Sequence, residues 1–223
     1  MIRNVYDAIY NNLIGGGAYL RIIKGCVVTL LIFVLALCLA ACLAAVLCFL
    51  RTSRQKGLQR LGVAVSFLTK GTPLYLALLL WYYTFLGGMH RGGLLIAVLV
   101  FGIYGGGHLA DILSRGVKRE MAVRSSVVNR RARKEFFSAL LPFVTEQSLF
   151  EIKRLCGFML QMSSVVGVIG VKDVTQVLLT NGLQTQEPFF ALFCGVIFYL
   201  VLQLLLEALF ARMGKRLTGE EEE

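Results

Sequence analysis

The stretch Cys26–Leu50, CVVTLLIFVLALCLAACLAAVLCFL, decides the fold class. It runs for 25 residues without a charge. At about 1.5 Å of rise per helical residue, such a run crosses the roughly 30 Å hydrocarbon core of a bilayer with some tilt. Ala36, Ala40 and Ala44 recur every four residues within it. That small-xxx-small face suits close packing of one helix on another. The preceding Met1–Lys24 mixes polar and apolar residues with Tyr6, Tyr10 and Tyr19 and reads as an interfacial segment. With Arg3, Asn4, Asp7, Asn11 and Asn12 it offers no apolar h-region, so a cleavable signal peptide is not expected.

Further spans follow along the chain. Gly62–Leu86 is a second apolar stretch, interrupted by Lys70-Gly71-Thr72-Pro73. Proline removes a backbone donor, so a broken helix is expected there, covered by protein or by a water-filled cavity. Leu94–Leu113 is a third span and carries Gly102, Gly105, Gly106 and Gly107. Gly102 and Gly106 form G-x-x-x-G, a helix-packing pattern. Phe136–Val171 is a fourth stretch, clean from Leu155 onward, and Phe189–Phe210 a fifth. Asp173–Pro188 between them is polar and nearly uncharged. The expectation is an all-α, polytopic transmembrane bundle of about five helices, with an acidic tail over residues 213–223.

Composition agrees. The 223 residues are 57% hydrophobic and 16% charged, against roughly 25% charged in soluble domains. The net charge of +10 sits between apolar runs rather than on a half-polar surface. That points to topology and anionic lipid headgroups, not to nucleic acid. Residues 51–60, 115–134 and the tail from Arg212 hold 15 Lys or Arg, and the alternate connections hold 5. The positive-inside rule puts the first set in the cytoplasm. Five spans then leave the N-terminus outside and the C-terminus inside. Residues 115–134 are the most basic stretch. Val123, Val127, Val128 and Ala132 share one helical face there, with Arg124, Arg130, Arg131 and Arg133 on the others. Such an amphipathic helix suits either a cytosolic protein partner or an anionic lipid surface.

No catalytic constellation is visible, and no enzyme activity, cofactor or metal is expected. There is no G-x-x-x-x-G-K-S/T loop to hold ATP. His90 and His108 lack H-E-x-x-H company, and the six cysteines read as small hydrophobes. His108 and Asp111 share a helix face, either as a packed polar pair or as a proton relay. Lys70, Glu151, Lys153, Arg154, Gln161, Ser163 and Ser164 are candidates for a polar pathway. Glu151 could instead pair with Lys153 or Arg154, and Ser163 and Ser164 could bond back to their own helix.

Three stretches resemble the polar amino-acid permease family of type I ABC importers, which includes the histidine, glutamine and arginine permeases. Leu68-Thr69-Lys70-Gly71-Thr72-Pro73-Leu74 is similar to the family's Arg-Gly-Thr-Pro-Leu, with Lys70 in the arginine's place. Gly107-His108-Leu109-Ala110-Asp111 is similar to Ala-Tyr-x-Ala-Glu. Leu141-Pro142 and Ser163–Val171 are similar to the Leu-Pro and Lys-x-Thr-Ser-Leu blocks, with Gln161 and Met162 where the family has a lysine and an acid. The similarity runs from about Gly25 to Arg212. It implies a permease domain over residues 25–212 in a bacterial inner membrane, whose cytoplasmic coupling loop, residues 115–135, docks a separate ATPase. It also implies a second permease subunit and an extracytoplasmic binding protein as partners. Val123, Arg124, Ser125, Val127, Asn129, Arg130 and Arg131 would form the ATPase-coupling loop. Lys70, Gly71, Thr72, Pro73, Asp111, Gln161, Ser163 and Ser164 would line the translocation path. The loop departs from the family's Glu-Ala-Ala pattern and its following glycine, with Val123, Arg124, Ser125 and Asn129 at those positions. That departure leaves open the degenerate half of a heterodimer, or a non-transporting membrane scaffold. A secondary transporter is disfavoured by small size and the lack of inverted repeats.

The charge asymmetry makes a direct prediction. A reporter fused after Lys134 is expected to be shielded from membrane-impermeant label added to intact cells. Labelling there from outside would reverse the topology.

Overall fold

The computed structural model describes residues 10–53, 55–86, 92–123 and 146–218. They are helical, with short connections and, among the described residues, no strand. We number the helices α1 (Ala18–Arg51), α2 (Lys56–Gly71), α3 (Leu74–Leu86), α4 (Gly93–Val123), α5 (Glu146–Met162), α6 (Val174–Gln184) and α7 (Pro188–Thr218). Four stretches are long and apolar enough to cross a membrane: Tyr10–Arg51, Gly93–Val117, Ser148–Ile169 and Pro188–Lys215. A fifth is obtained if the bent pair Lys56–Gly71 and Leu74–Phe85 counts as one span. The expected break is there: the helix stops at Gly71, Thr72 is extended, and Leu74 restarts it. A residue before proline is pushed out of the α region, which accounts for Thr72.

Two compact units can be distinguished. One comprises Met1–Ala36, Leu74–Val100 and Phe158–Leu205. Its core gathers Val174, Leu178 and Ala191, with Leu13, Ile22, Cys26, Cys194 and Phe198 packed around them. Close approach is enforced by missing side chains: a Cβ on Gly25 would lie 2.9 Å from the Val174 Cα, and one on Gly182 2.5 Å from the Ala191 Cβ. The first long helix begins at Ala18, inside the segment read as interfacial. Asn12, ahead of it, is tied to the α6–α7 connection. Its amide donates to Glu187 Oε2 at 2.6 Å, and the Thr185 hydroxyl donates to its Oδ1 at 2.7 Å. Pro188 opens α7, where a missing N–H has no intrahelical partner to lose.

The polar stretch after Val171 folds into α6, with Val174 and Leu178 on its buried face. Asp173 starts it as N-cap, accepting from the Thr175 and Gln176 amides at 3.1 Å each. Before it, Ser163–Ile169 tightens into a 3-10 turn that ends on Gly170 at φ 76°, a left-handed conformation that glycine takes without strain.

The other unit comprises Leu37–Pro73, Phe101–Gly157 and Leu206–Glu223. Its core joins Ala44, Leu47 and Cys48 of α1 to Ala110, Leu113 and Val117 of α4. The G-x-x-x-G pair performs the expected packing. A Cβ on Gly102 would meet Leu39 side-chain atoms at 2.5 Å, and one on Gly106 the Leu43 Cβ at 2.8 Å. Gly107 faces α2 instead, where an added Cβ would lie 2.0 Å from Thr69 Oγ1.

Asp173 is completely buried, and burial pushes its acid above the ordinary carboxylate range against the opposing pull of the two amide hydrogen bonds. A raised folded-state pKa means the protonated form is favoured. Its contribution is fully present below the unfolded pKa of about 3.9 and is lost as pH rises through the higher folded value. Asp173→Asn, which keeps an acceptor and removes the charge, should flatten that pH dependence in detergent unfolding. Asp173→Ala should lie below Asp173→Asn by about 1 kcal/mol, the usual worth of a cap.

Candidate functional site

Asp111 lies on α4, one turn beyond Gly107. Its carboxylate meets two cations: Arg51 Nη1 at the end of α1 and Lys70 Nζ at the end of α2. Side-chain exposure is 13% for Arg51, 14% for Asp111 and 31% for Lys70, so Lys70 is the open member. The glycines make the meeting possible. Gly106 lets α1 approach and Gly107 lets α2 approach, so three helices converge where one carboxylate reaches both partners. The cluster carries one net positive charge. Among the described residues no second carboxylate joins it, since Glu151 pairs with Arg115. Asp111 balances one of the two cations, and the second is left without a counter-ion among the described residues. Two further polar atoms are buried without a hydrogen-bond partner: Arg51 Nε and His108 Nε2. His108 stacks on Tyr104 with ring centroids 4.6 Å apart. Asp111, its expected companion at i+3, is engaged by Arg51 and Lys70.

Hydroxyls in this unit are satisfied locally. Ser66 donates to Gly62 O at 2.9 Å, Thr69 to Ser66 O at 3.1 Å and Thr72 to Leu68 O at 2.8 Å. Bonding back to the helix leaves no polar group bare. Gly71, Thr72 and Pro73 are exposed at the break. Glu151, for which Lys153 or Arg154 stood as partners, pairs across helices with Arg115 instead.

Gln161 and Ser164 belong to the other unit, where they line an open cavity of about 390 Å³ with Thr175, Tyr199 and Gln203. The rest of its wall is apolar residues of α6 and α7, and none of the lining residues is charged. Thr175 Oγ1 and the Tyr199 hydroxyl are 3.2 Å apart, and Gln203 Oε1 is buried without a partner. Ser163 is buried and donates to Leu160 O at 2.6 Å, while Ser164 donates to Gln161 O at 2.8 Å. Both serines therefore bond back to their own helix. The cavity offers neutral hydrogen-bonding groups on an apolar wall. Thr175, Tyr199 and Gln203 escaped sequence reasoning because each sits in a stretch with no motif around it.

The proposed coupling-loop residues Arg124, Ser125, Val127, Asn129, Arg130 and Arg131 lie outside the described residues, and Val123 ends the described part of α4. None of the six cysteines is in a disulfide, and among the described residues no cluster of His, Cys, Asp and Glu is arranged to hold a metal ion.

Compared with solved structures, the chain is similar to one described as "Crystal structure of an amino acid ABC transporter with histidines". The match has a TM-score of 0.71 at 22% identity and covers 88% of this chain and 94% of that one. The two chains share a fold. No family model matches the sequence, and no curated protein matches it either. With its apolar helices, the chain is a multi-pass membrane protein of that helical architecture.

The geometry ranks the cluster's members. Asp111→Asn strands two cations and should lower unfolding free energy by about 2–3 kcal/mol, somewhat under the 3–5 typical of a fully buried pair. Lys70→Gln leaves Arg51 and Asp111 balanced and should cost about 1 kcal/mol or less. Thermal unfolding of both variants in one detergent, followed by Trp81 fluorescence, checks the order.

Proposed function

We propose that this chain is the membrane-spanning permease subunit of an ABC importer. With a second permease subunit it forms the translocation path for polar amino acids, and separate ATPase subunits drive it. The observation that carries this reading is a fold shared with an amino acid ABC transporter chain over nearly the full length of both chains. The two motif positions Lys70 and Asp111, far apart in sequence, also meet as an ion pair, which gives the motif resemblance a physical basis. The chain has no Walker loop, so energy comes from a partner. ATP-driven closure of that partner moves the coupling loop and turns the path outward. An extracytoplasmic binding protein then delivers the substrate. In this reading the chain sits in a bacterial inner membrane with its N-terminus outside, and it is not itself an enzyme.

A second reading rests on the coupling loop. Val123, Arg124, Ser125 and Asn129 replace the Glu-Ala-Ala pattern and its glycine. That loss favours the degenerate half of a heterodimer, or a non-transporting scaffold that keeps the permease fold.

Affinity purification from membranes solubilised in mild detergent separates the two. A permease subunit retains an ABC ATPase, and Arg130→Glu with Arg131→Glu should release it and abolish amino-acid uptake. Uptake that persists in that double variant, with no ATPase retained, would sink the coupling assignment.

A further inference from the structure

The Arg51–Asp111–Lys70 cluster holds two cations against one carboxylate, and its donors are under-used. Lys70 is an ammonium with three N–H groups, and Asp111 is its ion-pair partner. Arg51 Nε carries a further buried donor with no acceptor. His108, one turn before Asp111, presents a buried Nε2 that is likewise unpartnered and supplies an N–H in one tautomer. Ser66 and Thr69 donate their hydroxyl protons to backbone carbonyls, and a neutral hydroxyl supplies no counter-charge for the surplus cation. Arg115 does not share Asp111, since it is held by Glu151. The surplus positive charge has no second counter-ion among the described residues, and the unused N–H donors of Arg51 and His108 raise the local positive potential further. An oxyanion at Lys70, the accessible member, supplies the missing counter-charge.

We infer that this cluster is a binding site for a single anionic oxygen group, a carboxylate or a phosphate, held chiefly by Lys70. Arg51 stays on Asp111 and positions it. Lys70, the most exposed of the three, turns its remaining N–H groups to the ligand. The shared chemistry is a compact oxyanion, which either a small free solute or an anionic lipid headgroup supplies. The site itself does not depend on the permease reading; only a role in substrate passage rests on it.

The test uses the purified full chain in an uncharged detergent at constant ionic strength, with acetate and inorganic phosphate as probes and chloride as reference. Either oxyanion should raise the melting temperature in a saturable way. Lys70→Gln should weaken the apparent affinity about tenfold or more, a charge-assisted hydrogen bond's usual worth, and Lys70→Arg should restore most of it. Arg60→Gln, an exposed cation elsewhere on α2, should change nothing. A second arm compares nanodiscs of phosphatidylcholine with and without phosphatidylglycerol. Stabilisation by phosphatidylglycerol that Lys70→Gln abolishes assigns the site to a lipid headgroup. Stabilisation by acetate or phosphate alone assigns it to a free solute. No Lys70-dependent stabilisation in either arm overturns the proposal, as does an equal response in wild type and Lys70→Gln. Because neither arm measures transport, a failure here is distinct from failure to retain an ATPase.

Discussion

One carboxylate ties together three of the seven numbered helices. Asp111 is counter-ion to Arg51 from α1 and to Lys70 from α2, and it sits on α4. Two cations drawn to one carboxylate tie the three helix segments that carry them into one register. The constraint is asymmetric. Losing either cation leaves a balanced pair; losing the acid leaves repulsion. Lipid-facing helices otherwise gain little from burying apolar side chains against one another, since lipid tails are equally apolar. A shared counter-ion supplies specificity that leucines cannot.

Close packing of α1 and α2 on α4 is the precondition. Gly102 and Gly106 accept Leu39 and Leu43 of α1, and Gly107 accepts Thr69 of α2. The buried alanine row of α1, Ala36, Ala40 and Ala44, follows the same logic. Polar residues are then handled in two ways. Hydroxyls fold back onto their own helices, whereas charges find partners on others.

How much of this was legible follows from the range of each signal. Apolar run length is local, so the spans were readable, and Pro73 marked the break because its effect on backbone is local too. The glycine pattern announced packing. What a single sequence could not announce was partnership. Asp111 was weighed with His108, its neighbour at helical spacing, whereas its partners lie 41 and 60 residues away in the chain. Glu151 was weighed with the adjacent Lys153 and Arg154 for the same reason, and it pairs with Arg115. Helix α6 was missed because its apolar stripe is short, Val174 and Leu178 beside buried Asn181 and Gly182, and because its start is marked by a single cap at Asp173. The residues grouped as one pathway also divide: Lys70 and Asp111 belong to the charged cluster, and Gln161 and Ser164 to the uncharged cavity.

The departures from the resembling family's motifs are not independent of each other. Where that family has arginine and glutamate, this chain has Lys70 and Asp111. A lysine offers a single ammonium rather than a planar fork, and aspartate is one methylene shorter than glutamate. A pair built from them needs its two backbones closer together. The same motif has alanine where this chain has Gly107, and a Cβ at that position would lie 2.0 Å from Thr69 Oγ1, on the residue beside Lys70. Gly107 therefore leaves room for the Thr69 side chain of α2 against α4. Restoring alanine alone would force the Thr69 hydroxyl to turn away or α2 to shift, and so would load the contact that lies one residue from Lys70.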